Sequence, residues 1–336
     1  MRIAFIGASH WHLPLYLDPS LEIPGVSLAG VSDPDANVVA ALGARLGCPT
    51  DPDFRALCRR TKPDFVVALG RHVDMAEEAE FLIEEGIPFA IEKPCGLDAA
   101  QVERIARLAE ARGAFAAVPL VFRNGDFLAL LREEAAAEGV QSMTFRFIAG
   151  FPSRYQQAGC DWMLDPGPSG GGCTINLAVH FFDICRLLWG PEVRPIAAAM
   201  SNAAWGHPIE DYSVVTFGRT GSELCLVETG YLYPGPTGTF DMHFAIRTPR
   251  RYIIAQDPET VELLDPSGRR EVRRVHTTNV AHYRTFMHDV LERVRRGAAP
   301  LAGLGDMVPV MRMVDEAYAL AARSGPFSPR PAAAAR

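Results

Sequence analysis

Short apolar runs alternate with helix-like stretches over the first 120 residues. Runs of this length predict buried strands, and apolar residues spaced three and four apart between them predict amphipathic helices. Strands that alternate with helices favour a parallel, doubly wound sheet, whose ligands bind beyond the carboxyl ends of the strands. The predicted strands are Arg2–Gly7, Leu28–Ser32, Phe65–Leu69, Phe89–Ile91 and Ala114–Pro119, and the clearest helices are Ala36–Leu46 and Met75–Glu85.

The pattern changes in the second half of the chain, where apolar and polar residues alternate with a period of two. Such alternation predicts strands with one buried face. Several consecutive strands after a strand–helix region indicate a second domain on a largely antiparallel sheet, so the predicted fold class is α/β. The predicted strands are Ser142–Ala149, Tyr212–Phe217, Glu223–Thr229, Asp241–Arg247 and Tyr252–Gln256.

The composition is that of a soluble globular protein, with 48% hydrophobic and 22% charged residues over 336 positions. A chain of this length can hold two domains, each with its own core. The net charge of −7 argues against a nucleic-acid or anionic-membrane partner. No apolar run approaches the roughly 18 residues of a transmembrane helix.

The seven cysteines are scattered, odd in number and without any Cys-x-x-Cys pair. This usage fits reduced cytosolic thiols rather than a disulfide frame or a zinc site. The N-terminus enters a strand pattern directly, without the charged region and long apolar stretch of a signal peptide. We therefore expect a cytoplasmic protein.

The first strand-to-helix turn reads Gly7-Ala8-Ser9-His10-Trp11-His12. It keeps only the first glycine of the Gly-x-Gly-x-x-Gly dinucleotide fingerprint, since Ser9 and His12 take the places of the other two. The small Ser9 side chain still allows the backbone to approach a pyrophosphate. His10 and His12 indicate a metal site only weakly, because no third ligand is spaced nearby, and we expect no metal.

A second marker of dinucleotide binding is the acidic residue at the end of the second strand. Asp33 lies 21 residues after His12, close to the spacing at which a carboxylate bonds the adenosine ribose hydroxyls. Asp33 followed by Pro34 and Asp35 is equally typical of a plain turn.

Lysine is nearly absent from this chain: of 33 basic side chains, only Lys62 and Lys93 are lysines. Lys93 stands in Ile91-Glu92-Lys93-Pro94-Cys95, straight after an apolar run that predicts a buried strand. A lysine ammonium is a compact point charge whose pKa moves on desolvation, whereas the arginine charge is delocalised and permanent. Lys93 is therefore either a solvated residue placed by chance or a lysine with a specific chemical role.

A helical stretch over Thr174–Leu188 follows three consecutive glycines at 170–172. Asn176, His180 and Asp183 fall at i, i+4 and i+7, so they share one face of an otherwise apolar helix. One interpretation is a helix N-terminus with satisfied core polar groups. The other is a histidine general base held by asparagine and aspartate neighbours.

Several motifs occur in a fixed order along the chain. They are Ile3–Gly7, Val31-Ser32-Asp33, Glu92-Lys93-Pro94, Asp161-Trp162, Gly170-Gly171-Gly172, Asn176 with His180 and Asp183, Glu210-Asp211, and the helices Tyr283–Arg295 and Asp306–Ala322. This set resembles the glucose–fructose oxidoreductase / inositol dehydrogenase / MocA (Gfo/Idh/MocA) family of NAD(P)-dependent oxidoreductases over about residues 1–325. The combination of Glu-Lys-Pro with Gly-Gly-Gly and His-x-x-Asp is far more specific than either piece.

The resemblance implies a two-domain architecture. Residues 1–120 would form an NAD-binding Rossmann domain, and residues 121–325 an α/β domain with a large, mostly antiparallel open sheet. This second domain would bind substrate and form a homodimer or homotetramer through its sheet. The Pro/Ala-rich tail over residues 326–336 is expected to be disordered.

The resemblance also implies roles for individual residues. Lys93 matches the lysine that bonds the reacting hydroxyl and the nicotinamide ribose, and His180 matches the acid/base histidine. Asn176 takes a position that is aspartate in inositol dehydrogenase-like members, so it can orient substrate but cannot relay a proton. The expected catalytic residues are Lys93, His180 and Asn176, and the expected cofactor-binding residues are Gly7, Ser9, His10, Trp11, His12, Asp33, Gly70, Arg71, His72, Glu92, Lys93 and Pro94.

The loop after the third predicted strand departs from the family pattern. The usual Thr-Pro-x-x-x-His is replaced by Gly70-Arg71-His72-Val73-Asp74-Met75. Arg71 or His72 could therefore touch either the cofactor or the substrate.

The activity implied is hydride transfer between nicotinamide and a secondary alcohol of a sugar, cyclitol or sugar derivative. NAD is expected over NADP, because Asp33 repels a 2′-phosphate and its neighbours Ser32, Pro34 and Asp35 supply no arginine. A non-catalytic NAD(P)-binding sensor or regulatory protein of the same fold is the alternative. The candidate substrate contacts are Arg123, Arg154, Tyr155, Trp162 and Asp183, with Tyr231 and Tyr233 as further wall residues.

Overall fold

A computed structural model of the protein describes residues 1–136, 138–219, 221–235, 238–324, 327 and 329. The chain divides into two compact units, each built from stretches that are distant in sequence. The predicted disordered tail over 326–336 lies outside the described residues, apart from 327 and 329. None of the described helices is both long and apolar enough to cross a membrane. The first unit comprises residues 1–120, 155–162 and 283–309, and the second comprises 121–154, 163–282 and the chain from Val310.

The first unit is built on a parallel sheet with helices between its strands, as the alternating pattern predicts. Its described strands are β1 (Arg2–Ile6), β2 (Ser27–Ser32), β3 (Thr50–Asp51), β4 (Phe65–Ala68), β5 (Phe89–Ile91) and β6 (Ala116–Ala117). Its helices are α1 (Leu13–Glu22), α2 (Ala36–Leu46), α3 (Phe54–Thr61), α4 (Met75–Glu84) and α5 (Ala99–Arg112).

The strand order of this sheet is β3-β2-β1-β4-β5-β6. The order reverses between β1 and β4, and in doubly wound sheets this switch point is where ligands bind, beyond the carboxyl ends of the strands. The predicted N-terminal fold class is therefore confirmed.

The ends of helices α2 and α3 are defined by individual capping residues. Asp35 caps α2 by accepting from the Asn37 amide at 2.8 Å, and α2 ends at Gly47 in the left-handed conformation with φ +60°. Helix α3 ends instead at Lys62, an exposed residue with φ +45° that lies just before β4.

The second unit contains a mostly antiparallel sheet. Its described strands are β7 (Ser142–Gly150), β8 (Arg194–Ser201), β9 (Tyr212–Gly218), β10 (Leu224–Tyr233), β11 (Phe240–Arg247), β12 (Tyr252–Ala255), β13 (Thr260–Leu264) and β14 (Arg270–Arg274). They follow the order β14-β13-β12-β11-β7-β10-β9-β8, and among these described strands only the β7–β10 pair is parallel. The predicted C-terminal sheet is confirmed.

Helix α9 (Val179–Trp189) covers one face of this sheet. Phe181 stacks on Phe145 of β7 with ring centroids 5.2 Å apart, and Phe182 meets Phe217 of β9 at 4.6 Å. These contacts bury the apolar side of α9 and fix the position of the polar residues at its start. The remaining helices are α6 (Asp126–Ala135), α7 (Ser153–Gln157), α8 (Pro166–Ser169), α10 (His282–Arg296) and α11 (Leu304–Ser324).

The single α-helix predicted over Thr174–Leu188 differs in one respect from the structure. Its first turn, Thr174–Ala178, is π-helical, and regular α-helix begins only at Val179. Such turns are rare and often lie at functional sites. Asn176 sits inside the π-helical turn, whereas His180 follows it in the regular α-helix.

Candidate active site

The turn after β1 explains why one glycine of the fingerprint is kept. Gly7 has φ +67°, and a Cβ placed there would lie 2.4 Å from the Gly70 amide nitrogen and 2.5 Å from the Leu69 carbonyl carbon. No side chain fits where the loop after β4 crosses this closely. Ser9 and His12 occupy the other two fingerprint places, so the dinucleotide turn here depends on Gly7 alone.

Asp33 directly follows β2, and its side chain bonds the turn that follows β1. Its side chain is buried, its Oδ2 accepts from the Ser9 amide at 2.6 Å, and its Oδ1 accepts from the Asp35 amide at 3.0 Å. The plain-turn interpretation accounts for the Asp35 bond but not for the bond to Ser9, 24 residues away. The structure therefore fixes the Asp33 carboxylate beside the turn that follows β1.

A cavity of about 400 Å³ opens beside Gly7 and Asp33. Its volume falls in the range of small-ligand sites, roughly 300–1,000 Å³. It brings together five of the predicted cofactor-binding residues, Gly7, Ser9, His10, Gly70 and Arg71, around Asp33. The other described residues that line it are Ser32, Pro34, Asp35, Pro52, Phe54, Leu69, Asp74, Glu77, Glu78 and Trp162.

Glu78 is a buried carboxyl in this cavity that the motif reasoning missed. One of its oxygens accepts from the Gly70 amide at 3.2 Å, and burial raises the pKa of Glu78 to about 8. The available signal was helical spacing, because Glu78 falls on the same face of α4 as the buried Met75 and Leu82. An acid on an apolar face is a candidate for a buried, functional position.

Glu92 and Lys93 lie directly after β5, and both side chains are buried. The His12 imidazole Nδ1 contacts the Glu92 carboxylate, and the Lys93 amide donates to Glu92 Oε2 at 2.6 Å. Burial is the largest single influence and would raise the pKa of Glu92, but His12, Lys93 and His10 together outweigh it and hold that pKa below its usual range. Lys93 thus follows an ionised, buried carboxylate, and its peptide bond to Pro94 is cis.

Aromatic rings surround the altered fingerprint turn. His10 and Trp11 stack with centroids 3.8 Å apart, and burial lowers the pKa of His10 well below its usual value. Trp11 packs edge-on against Tyr155 at 4.9 Å, and His72 against Trp162 at 5.1 Å. Two of the candidate substrate contacts, Tyr155 and Trp162, therefore belong to the first unit and contact predicted cofactor-binding residues.

In the second unit, a buried carboxylate anchors the turn that carries Asn176. Glu210 accepts from the amides of Gly172 and Thr174, each at 2.9 Å, and from the Tyr318 hydroxyl at 2.8 Å. A Cβ on Gly172 would lie 2.0 Å from the Glu210 carbonyl oxygen, so the third glycine is required for this close approach. Burial raises the pKa of Glu210, opposed by these three donors.

Asn176 is buried within the π-helical turn, where its Nδ2 donates to the Tyr231 hydroxyl at 3.0 Å. The guanidinium carbon of Arg154 lies 5.0 Å from the centre of the Tyr231 ring. Two proposed wall residues, Arg154 and Tyr231, therefore adjoin Asn176 within one unit, and Tyr231 fixes the orientation of the amide.

His180 is buried one turn further along, with the Phe122 ring edge-on to its imidazole at 5.8 Å. One turn later, Asp183 forms a two-point bond with Arg123, with distances of 2.9 and 2.7 Å, and both side chains are almost fully buried. These two candidate substrate contacts therefore bond to each other. His180 and Asn176 lie in the second unit, whereas Lys93 lies in the first.

The sheet order, the Gly7 turn and the carboxylate that follows β2 define a class of protein, those with a Rossmann dinucleotide-binding domain. Residues 1–119 match the family model described as an oxidoreductase family with an NAD-binding Rossmann fold. Residues 139–250 match the model of the GFO/IDH/MocA C-terminal domain. The chain belongs to the glucose–fructose oxidoreductase / inositol dehydrogenase / MocA family and has an NAD-binding Rossmann domain, so the predicted resemblance is confirmed.

Solved structures of similar fold include an inositol dehydrogenase homologue from Azotobacter vinelandii complexed with NAD⁺, which is 16% identical, with 97% of this chain and 96% of that chain covered and a TM-score of 0.83. A levoglucosan dehydrogenase complexed with NADH and levoglucosan is 15% identical, with 96% and 97% covered and a TM-score of 0.81. A UDP-N-acetylglucosamine 3-dehydrogenase from Acidithiobacillus ferrooxidans is 19% identical, with 94% and 96% covered and a TM-score of 0.77. Identities this low show the shared fold alone. No curated protein sequence matches the chain significantly.

Proposed function

We propose that the protein is an NAD-dependent dehydrogenase acting on a secondary alcohol of a sugar, a cyclitol or a sugar derivative. The observation that carries this proposal is Lys93, a buried lysine in a chain whose other basic residues, apart from Lys62, are arginines. It follows an ionised carboxylate at the carboxyl end of β5, the edge of the sheet where ligands of this fold bind. Similar structures carry the names of levoglucosan and UDP-N-acetylglucosamine dehydrogenases, which favours the same class of substrate.

The cavity beside Gly7 fits the adenosine part of the cofactor. We propose that Asp33 accepts from the ribose hydroxyls, that the turn over Gly7 to His12 adjoins the pyrophosphate, and that the loop at Gly70 to His72 adjoins the nucleotide in the same cavity. Bound NAD would supply the acceptor for the hydride that leaves the alcohol carbon. Glu92 and Pro94 would hold Lys93 in place.

Three residues would handle the alcohol itself. The Lys93 ammonium would donate to the reacting hydroxyl and stabilise the developing alkoxide. His180 would accept the hydroxyl proton, a role for which histidine is suited near neutral pH. Asn176, oriented by Tyr231, would bond a substrate hydroxyl without titrating. Arg123, Arg154, Tyr155, Trp162 and Asp183 would support the substrate site.

A panel of polyols, aldoses and nucleotide sugars incubated with the protein and NAD⁺ tests the proposal through NADH absorbance. We expect turnover of at least one member and none by Lys93→Ala under the same conditions. NADH binding without turnover across the panel would contradict the enzyme proposal and support the non-catalytic sensor.

The assembly proposed is a homodimer or homotetramer formed through the C-terminal sheet. Helix α9 covers only one face of that sheet. The other face carries half-exposed side chains, including Arg146, whose Nε bonds Glu228 at 3.0 Å. A monomeric mass from light scattering would contradict this proposal. We expect the assembly in the cytoplasm, as the cysteine usage indicates.

A further inference from the structure

The proposed cofactor cavity contains an arginine that lies far from Asp33 in the sequence. Arg71, from the loop after β4, lines the same cavity as Asp33. It is the only arginine or lysine among the described residues that line the cavity, whereas five carboxyl groups line it: Asp33, Asp35, Asp74, Glu77 and Glu78. The sequence reasoning found no arginine for a 2′-phosphate because it considered only the neighbours of Asp33.

Arg71 is bound by Asp74. The Arg71 Nε donates to one Asp74 oxygen at 2.6 Å and its second nitrogen donates to the other at 3.1 Å. This side-on, two-point arrangement occupies the edge of the guanidinium with which arginine also binds phosphate.

Asp74 makes this bond in place of a helix cap. It is the N-cap residue of α4, yet its side chain accepts no cap hydrogen bond from that helix. By contrast, the N-cap aspartates Asp35 and Asp53 accept from the amides two residues on. An aspartate N-cap normally stabilises a helix by accepting from the amides of its first turn, and Asp74 forgoes that contact to hold Arg71.

We propose that Asp74, by pairing with Arg71, is a second determinant of the preference for NAD over NADP. Arg71 is a latent receptor for the 2′-phosphate, and Asp74 neutralises it, while Asp33 repels the phosphate directly. The ion pair is partly exposed, with 50% and 33% of the two side chains accessible. Its net contribution to stability is therefore small, so its removal should change the recognition of phosphate more than the fold. The inference rests on the NAD site proposed above.

Binding titrations followed by nicotinamide fluorescence test this proposal without relying on turnover. NADH and NADPH are titrated into wild type, Asp33→Ser, and Asp33→Ser combined with either Asp74→Asn or Asp35→Asn. Asp35→Asn is the matched control, because it removes one carboxylate of the same cavity without releasing an arginine, and asparagine caps a helix as well as aspartate. We expect Asp74→Asn to tighten NADPH binding by about tenfold over this control, with a gain that falls as salt rises.

Adding Arg71→Leu to the Asp33→Ser/Asp74→Asn variant should abolish the gain. Equal NADPH affinities for the Asp74→Asn and Asp35→Asn combinations would overturn the proposal, as would a gain that survives Arg71→Leu. If Asp33→Ser disturbs the turn at Ser9, the NADPH-to-NADH affinity ratio of the Asp74→Asn and Asp35→Asn single variants gives the same comparison. Failure of wild type to bind NADH would instead overturn the NAD site on which the inference rests.

Discussion

Lys93 and Glu78 are both buried ionisable side chains of the first unit. The sequence alone identified Lys93 as a candidate functional residue but did not identify Glu78. Lys93 stood out because lysine is so rare in this chain. Glu78 did not, because its partner is the amide of Gly70 in the preceding loop, and no motif marks that bond. The consequences of burying each charge can be measured separately.

Replacement of Lys93 by arginine is expected to abolish most turnover while leaving the fold intact. If charge alone were needed, arginine should serve, but its larger planar fork cannot place a point charge on an alkoxide in the same space. The measurement is kcat on the substrate found in the panel, with circular dichroism as the control for folding. A near-wild-type kcat would show that this lysine has no special role.

Replacement of Glu78 by glutamine should make stability less dependent on pH. Burial raises the pKa of Glu78 from its usual 4.5 to about 8, so its contribution to folding is fully present below 4.5 and is lost as pH rises through 8. Wild type should therefore lose stability relative to Glu78→Gln, by on the order of a few kcal/mol, between about pH 5 and pH 9.

Thermal unfolding of both proteins at the two ends of this range measures the effect. Glu77→Gln is the control, because Glu77 lies on the same helix but its side chain is exposed. Parallel Tm profiles for wild type and Glu78→Gln would mean that this carboxyl stays ionised in the folded protein.

The sequence predicted the helix that carries Asn176 and His180, but it did not predict that the first turn of this helix is π-helical. Polar residues on an apolar helix indicated the element correctly. The π-helical turn and its anchor were not predictable, because their contacts join distant parts of the chain. Glu210 lies 36 residues after Thr174, and Tyr318 lies 108 residues after Glu210. Only the folded chain brings these partners together.

Removal of the Tyr318 hydroxyl should loosen this anchor. Tyr318→Phe deletes one of the three described donors to Glu210, so we expect a destabilisation of about 1 kcal/mol and a fall in kcat without a change in NADH affinity. Tyr252→Phe is the matched control, because Tyr252 is an exposed strand residue. The idea fails if the two variants have the same Tm and the same kcat.

Removal of the His180 imidazole tests its assignment as the acid/base. His180→Ala should lower kcat/KM by about 10²–10⁴-fold, the usual effect of losing a positioned acid/base. NADH affinity should stay nearly unchanged, since the predicted cofactor residues lie in the first unit. A single group should control the acidic limb of the wild-type pH profile, because Asn176 does not titrate. Survival of that limb in His180→Ala, with less than about tenfold loss, would make His180 a core histidine.

At the scale of the whole molecule, the alternation of strand and helix signals predicted the first sheet, and the period-two alternation of apolar and polar residues predicted the second. The strands that escaped prediction have reasons to do so. β3 spans only two residues, β8 contains an alanine run that blurs the period of two, β13 is a run of five residues, and β14 is a charged edge strand. The motifs located the candidate residues, but the pairing of Arg123 with Asp183 and the entry of Arg71 into the Asp33 cavity required the tertiary structure.

The rarity of lysine has a practical consequence for chemical coupling. Lys93 is 3% exposed, so of the two lysine side chains an amine-reactive dye or resin should attach at Lys62. Lys62 lies just before β4, at the amino ends of the parallel strands, whereas the cavity adjoins residues that follow their carboxyl ends. The protein therefore carries a natural attachment point for immobilisation or single-molecule labelling, remote from the proposed cofactor entrance.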